Sequence, residues 1–239
     1  MKYTDLTFPT PEHNLACDEA LLELCENGYE HEILRFWEPI QFFVVLGYSG
    51  KVLSEVNLLS CEKSKIPIFR RPSGGGTVLQ GPGCLNFSLI LKIENSRELR
   101  NIAGTNSYIM EGHKKALQPL MEHVIEVEGF SDLTAKTLKF SGNAQRRKRR
   151  FLLFHGTFLL NFDISMIEKF LLIPIRQPCY RKNRSHTDFL TNLNLPANGI
   201  KDALRKFWDA DGTLERLPVE DIEQLVKARY ATRDWNFKF

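Results

Sequence analysis

The stretch Phe69-Arg70-Arg71-Pro72-Ser73-Gly74-Gly75-Gly76-Thr77-Val78-Leu79-Gln80-Gly81-Pro82-Gly83-Cys84-Leu85-Asn86-Phe87-Ser88-Leu89-Ile90-Leu91 sets two arginines and a glycine triplet ahead of an apolar run. Three consecutive glycines are entropically costly inside any regular element. They fit a loop whose backbone N–H groups come close to an anion, with Arg70 and Arg71 balancing its charge. They fit equally well a glycine-rich hairpin turn between surface arginines. Residues on either side must decide between the two.

Working outward, Ile66–Arg70 reads as a strand entering this loop and Leu85–Ile93 as a buried strand leaving it. Upstream, Asn14 is placed to cap a helix through Asn27, with Leu15, Leu21, Leu22 and Cys25 on one stripe and Gly28 as the stop. Ile33–Phe36 and Phe42–Leu46 read as strands, and Val52–Lys63 as one helix. Downstream, the spacing of Ile109, Ala116, Leu117, Leu120 and Met121 predicts a helix over Asn106–His123. Val124–Val127, Leu133–Phe140 and Phe151–Phe162 read as three strands, Ile164–Leu172 as a short helix, and Ile200–Trp208 and Val219–Tyr230 as closing helices. Strands in the middle and helices at the ends, without strict alternation, predict an α+β fold in one domain over residues 1–239.

Composition sets outer bounds. Of 239 residues, 43% are hydrophobic and 26% charged, ordinary values for a globular chain, and a net charge of +3 is too small to imply nucleic acid. The five cysteines, Cys17, Cys25, Cys61, Cys84 and Cys179, are scattered and form no C-x-x-C pair. This argues against a disulfide framework or zinc site and for a reducing, cytoplasmic setting. Neither a signal peptide nor a membrane span is expected. The run Arg146-Arg147-Lys148-Arg149-Arg150 carries no interleaved aromatics, so a solvated hairpin tip is favoured over a nucleic-acid site. A basic rim that steers an acidic protein partner is the sharper alternative.

A second notable segment is Lys139-Phe140-Ser141-Gly142-Asn143-Ala144-Gln145, followed by His155-Gly156-Thr157. A lysine ahead of small residues can set an ammonium beside a phosphate or carbonyl oxygen. Alone, it reads more readily as a solvated strand-end lysine. Together, Arg70-Arg71-x-Ser73-Gly74-Gly75-Gly76-x-Val78, Asn86-Phe87-Ser88, Lys139-x-Ser141-Gly142-x-Ala144, His155-Gly156-Thr157 and Leu160-Asn161-Phe162-Asp163 resemble the lipoate–protein ligase A family, within the biotin/lipoate ligase and octanoyltransferase superfamily. The resemblance runs from about Asn14 to Trp235.

That resemblance implies a mixed β-sheet with flanking helices that holds an acyl chain in an apolar tunnel. It implies attachment of lipoate or octanoate to a lysine of a lipoyl domain through an acyl-adenylate, with ATP and Mg²⁺ as cosubstrate and its ion. The expected acceptors are lipoyl domains of 2-oxoacid dehydrogenase complexes or the glycine cleavage H protein, and a separate accessory chain is a further candidate partner. Carried over residue by residue, Lys139 is catalytic; Arg70, Arg71, Ser73, Gly74, Gly75, Gly76, Val78, Asn86, Gly142, Ala144, His155 and Gly156 bind the acyl-adenylate. The double-arginine S-G-G-G form points away from biotin. No acidic cluster marks a resident metal, with Asp132 the lone carboxylate to consider.

The sequence departs from the family pattern in three places. Gln80-Gly81 stands where the ligases commonly have His-Asp, and Gly129-Phe130-Ser131-Asp132 where they often have G-R-N-D. The last residues, Arg233 to Phe237, fall where single-chain ligases continue into a C-terminal accessory domain, which is therefore expected to be absent. Pro178-Cys179 resembles the Pro-Cys pair of one octanoyltransferase branch, so an acyltransferase working through a Cys179 thioester is the alternative. Arg176, Arg181, Lys182 and Arg184 are placed to lower that thiol's pKa, and an incidental thiol is the plainer reading.

Overall fold

The computed structural model describes residues 1–239. The first half of the chain runs β1 (Lys2–Asp5), α1 (Pro11–Glu26), β2 (Ile33–Trp37), β3 (Phe43–Leu46), α2 (Val52–Glu55), α3 (Leu58–Lys63), β4 (Ile68–Arg70), β5 (Val78–Gln80), β6 (Cys84–Lys92) and α4 (Ile102–Leu117). The second half runs β7 (Ile125–Glu128), β8 (Asp132–Ala135), β9 (Leu138–Arg147), β10 (Phe151–Leu159), α5 (Ser165–Phe170), α6 (His186–Phe189) and α7 (Ala197–Phe207). It closes with β11 (Gly212–Thr213), α8 (Val219–Leu225), a π-helical turn over Val226–Tyr230, and α9 (Arg233–Asn236). No helix is long and apolar enough to cross a membrane.

Eight strands form one mixed sheet in the order β11-β1-β2-β6-β10-β9-β8-β7, and β4-β3-β5 form a smaller one. In the large sheet, β1 is parallel to β2 and β11, and the remaining pairs are antiparallel. The central strand β6 shows why both faces must be covered. Leu85, Phe87, Leu89 and Leu91 alternate into the core beneath α4 and α7, while Ile90 turns to the core beneath α1 and α8. Phe87 stacks on Phe154 and Phe158 at ring-centre distances of 6.4 and 5.2 Å. Each buried aromatic of this kind contributes about 1.5–3 kcal/mol.

The N-cap of helix α1 lies four residues before the expected one. Pro11 occupies its first turn, where a missing N–H costs nothing, and Thr10 holds the N-cap position. Asn14 is instead buried within the helix, where its amide donates to the Phe8 and Thr10 carbonyls. The single helix expected over Val52–Lys63 is two. Val56 is extended and bridges Leu171, and Asn57 caps the second piece by accepting from Ser60 N at 3.2 Å. Leu133–Phe140 is not one strand but a hairpin. Lys136 and Thr137 both take positive φ, 51° and 66°, as a two-residue I′-like turn requires.

The basic run also differs from a solvated tip. Lys148 pairs with Glu23 at 2.6 Å, Arg150 pairs with Glu30, and Glu26 accepts from the Arg150 and Phe151 N–H groups at 3.0 Å. Arg147 donates to Thr105 and to the Leu99 carbonyl. The acidic end of α1 and the start of the α4 region thus take up much of this positive charge.

Candidate active site

Two cross-strand rows build the floor of the site. Arg35, Ser88, His155 and Ala144 lie side by side across β2, β6, β10 and β9; Trp37, Asn86, Thr157 and Gly142 form the next row. Residues in one row share a face of the sheet. Gly142 and Ala144 keep the β9 end of both rows low.

The loop after β4 lies across this floor. Arg71 organises it from inside: Nε donates to Ser73 Oγ at 3.1 Å, and Nη2 donates to the Gly74 and Gly76 carbonyls at 2.8 Å each. Burial pushes this guanidinium down to about 10, still well above neutral pH. With its carbonyls turned to Arg71, the loop leaves the N–H groups of Gly74, Gly75 and Gly76 without acceptors in the chain, and these three residues are exposed. Gly75 takes φ +88° and packs above the Ala144 methyl group. Gly47 permits this approach, since a Cβ there would collide with the Gly75 carbonyl. Of the two readings open for the glycines, the free N–H groups favour an anion cradle.

Arg70 plays a different part from the one expected. Its guanidinium is fully buried and donates to the carbonyls of Gly47, Tyr48, Gly50, Trp235 and Asn236, at 2.8–3.1 Å. Three of these carbonyls crowd Nη1 and one each meets Nε and Nη2, so Arg70 ties the glycine loop's root to the Gly47–Gly50 turn and the C-terminal segment. It does not face a ligand. Asn86 is likewise engaged. It donates to Gln80 Oε1 at 3.0 Å and accepts from Thr157 Oγ1 at 2.5 Å, while Gln80 donates to Thr157 at 2.6 Å. This closed polar ring is what Gln80 contributes here. Val78 sits half-buried on β5, against the cluster that includes Phe43 and Phe69. Gly156 pairs with Asn143 on the opposite face of the sheet, where a side chain would collide with the Asn143 amide. Its role is packing.

His155 faces the glycine loop. Its Nε2 shares a 2.6 Å hydrogen bond with Ser73 Oγ, and its Nδ1 lies 3.9 Å from Asp18 Oδ2. Asp18 projects from α1 and pairs with fully buried Arg35 at 2.5 Å. Burial opposes ionisation of Asp18, but Arg35 and His155 outweigh it and hold the carboxyl below its ordinary value. Sequence reasoning missed both residues. The available signal was a carboxylate set among Leu15, Leu21 and Leu22, on the stripe of α1 that must be buried.

Lys139 lies at the other end of the floor. Its Nζ is 2.8 Å from Asp132 Oδ1 and lies above Gly142, where a Cβ would sit 2.8 Å from the ammonium. Asp132 Oδ2 accepts from the Tyr180 hydroxyl at 2.6 Å. Burial, then Asp132, push the Tyr180 phenol far above its ordinary value, so it stays a donor. A bulge makes the arrangement possible. Leu133 pairs with Ser141 but Thr134 pairs with Lys139, which leaves Phe140 as an extra residue in the core. Strict alternation would send Lys139 to the face opposite Gly142. The bulge restores it to the site.

Cys179 is an exposed free thiol in a 3₁₀ turn next to Tyr180. The arginines expected to surround it are directed elsewhere: Arg181 and Arg184 stack on Phe189 at 4.7 and 5.1 Å and donate to backbone carbonyls. His186 is buried and packs near the Leu172 carbonyl, a structural position.

Residues 10–205 match the model of the lipoyl protein ligase A/B catalytic domain. The chain is 28% identical to the probable lipoate-protein ligase A of Mycoplasma pneumoniae, over 99% of this chain and 72% of that protein. It is also 28% identical to the octanoyltransferase LipM of Carboxydothermus hydrogenoformans, over 95% and 94% of the two chains. Among solved structures, a bi-partite lipoate protein ligase of Thermoplasma acidophilum superposes with a TM-score of 0.83 at 22% identity, covering 99% and 95% of the two chains. A lipoate-protein ligase A bound with ATP superposes with a TM-score of 0.80 at 24% identity, over 99% and 98%. The fold and these matches define an acyl-transferring enzyme of the ligase type. The chain belongs to the lipoyl protein ligase A/B catalytic-domain family.

Proposed function

We propose that this enzyme attaches lipoate or octanoate to the lysine of a lipoyl-domain acceptor through an acyl-adenylate made from Mg²⁺-bound ATP. One observation carries the reading: the free N–H groups of Gly74–Gly76 and the Lys139 ammonium lie at two ends of one floor lowered by Gly142 and Ala144. An acyl phosphate lying on that floor has N–H donors for its phosphate oxygens and an ammonium for the carbonyl oxygen that gains charge as the acceptor amine attacks. Arg71 shapes the donors from below. The ATP-bound and lipoyl-domain-associated relatives support the choice of substrates.

The second reading is octanoyl or lipoyl transfer through a Cys179 thioester. It is favoured by the LipM relative and by the position of Cys179, an exposed thiol beside the tyrosine that holds Asp132. Two measurements separate the readings. Lipoate- or octanoate-dependent pyrophosphate exchange, which Cys179→Ser leaves intact, is the expected result. Absence of exchange with acceptor present, together with a covalent acyl adduct that Cys179→Ser removes, overturns it in favour of the transferase.

A further inference from the structure

Ser73, His155 and Asp18 form a chain that ends at the glycine loop, and its hydrogen inventory constrains what Ser73 can offer a ligand. A serine hydroxyl carries one hydrogen and two acceptor lone pairs. Arg71 Nε already donates to Ser73 Oγ at 3.1 Å. His155 turns Nδ1 towards the Asp18 carboxylate and Nε2 towards Ser73. A carboxylate accepts only, so it favours the hydrogen on Nδ1. Neutral His155 then accepts at Nε2 and takes the single Ser73 hydrogen. In that state Ser73, buried at the root of the glycine loop, has only a lone pair left for an anion drawn to that loop.

We infer that binding of an anionic acyl phosphate is coupled to uptake of one proton by His155, which releases the Ser73 hydroxyl to donate to the ligand. The inference rests on the acyl-adenylate reading above. The step is a protonation with no covalent change at Ser73. One proton passes from solvent to His155 Nε2; Nε2–H donates to Ser73 Oγ, and the Ser73 O–H rotates to a ligand oxygen. Buried Asp18 then faces an imidazolium. The charged groups around His155 are Asp18 from α1, Arg35 from β2 beyond it, and Arg71 from the glycine loop. Its row neighbours on β6 and β9, Ser88 and Ala144, are uncharged. An incoming phosphate brings a second negative charge to the Ser73 end of this chain, opposite the Asp18 carboxylate.

The test uses the full chain labelled with ¹⁵N-histidine and an octyl phosphodiester of AMP, which retains the phosphate charge and alkyl chain but cannot transfer an acyl group. In the free protein near pH 8, NMR should assign the Nδ1–H tautomer to the His155 resonance, identified by its loss in His155→Gln. Calorimetric titrations near pH 7.5, in two buffers of different ionisation enthalpy, should report uptake of up to one proton per bound probe. His155→Gln should abolish that uptake, and Asp18→Asn should reduce it at least two-fold. An Nε2–H tautomer in the free protein, or binding with equal heats in the two buffers, overturns the inference. If the probe binds to no form of the protein, the adenylate reading fails, and the tautomer alone then decides the hydrogen-bond assignment.

Discussion

Lys139 Nζ lies 2.8 Å from Asp132 Oδ1, and the same carboxylate accepts from the Tyr180 hydroxyl at 2.6 Å. The ammonium is therefore oriented before any ligand arrives, over a glycine that leaves room for it. Lys139→Ala should lower acyl transfer by about 10²–10³-fold, the range for losing one preorganised electrostatic group. Stability should change by no more than about 1 kcal/mol, because the pair is partly solvated. Single-turnover acylation alongside urea denaturation checks both. Turnover within two-fold of the parent would exclude a catalytic Lys139.

Arg70 and Arg71 are adjacent in sequence but should fail in different ways. Arg70→Ala removes the donor for five carbonyls and should cost about 3 kcal/mol or more of stability. Arg70→Lys should recover little, because an ammonium cannot reproduce a planar fork. Arg71→Lys should leave the global unfolding midpoint closer to that of the parent and raise KM for ATP and acyl substrate, since Arg71 holds the glycine carbonyls. Denaturant midpoints and steady-state kinetics on the three variants would reveal the contrast or its absence.

Gly156→Ala places a methyl group against the Asn143 amide on the sheet face away from the site. The expected outcome is a loss of about 1–3 kcal/mol from overpacking. KM should be unchanged at temperatures where the variant is folded. A large rise in KM with normal stability would return Gly156 to the binding surface.

The Asp18 carboxyl is held below its ordinary value in the folded chain. The folded state thus binds the proton less readily than the unfolded chain does. The stabilisation is complete above the unfolded value and is lost as pH falls through the folded one. Asp18→Asn should therefore flatten the acid side of the stability profile below about pH 5. At neutral pH it should also destabilise, because Arg35 keeps a buried charge without its partner. Thermal unfolding of both proteins across pH 3–7 supplies the comparison.

Much of this protein is legible in its sequence. The arginine–glycine stretch, the lysine ahead of small residues and the histidine strand are local patterns, and they led to the correct family and an α+β sheet. Element boundaries moved where a long-range partner intervened, as at Val56, which becomes extended to bridge Leu171. Strict alternation along β9 would place Lys139 on the face away from Gly142. Phe140 is drawn into the core beneath α4, and the resulting bulge turns the lysine back towards Gly142.

By itself, the sequence determined which residue types gather at the candidate site, because glycine conformational freedom, basic charge and small side chains are properties of single residues. Only the tertiary structure decided how adjacent residues divide the work. Arg70 lies inside a ring of backbone carbonyls and Arg71 beneath the glycine loop, so one fixes the frame and the other shapes the cradle. Asp18 reaches His155, and pairs with Arg35 17 positions along the chain, only because α1 packs across β2, β6 and β10. No sequence spacing encodes that contact: it forms when the apolar stripe of α1 is buried against the sheet and carries one carboxylate with it.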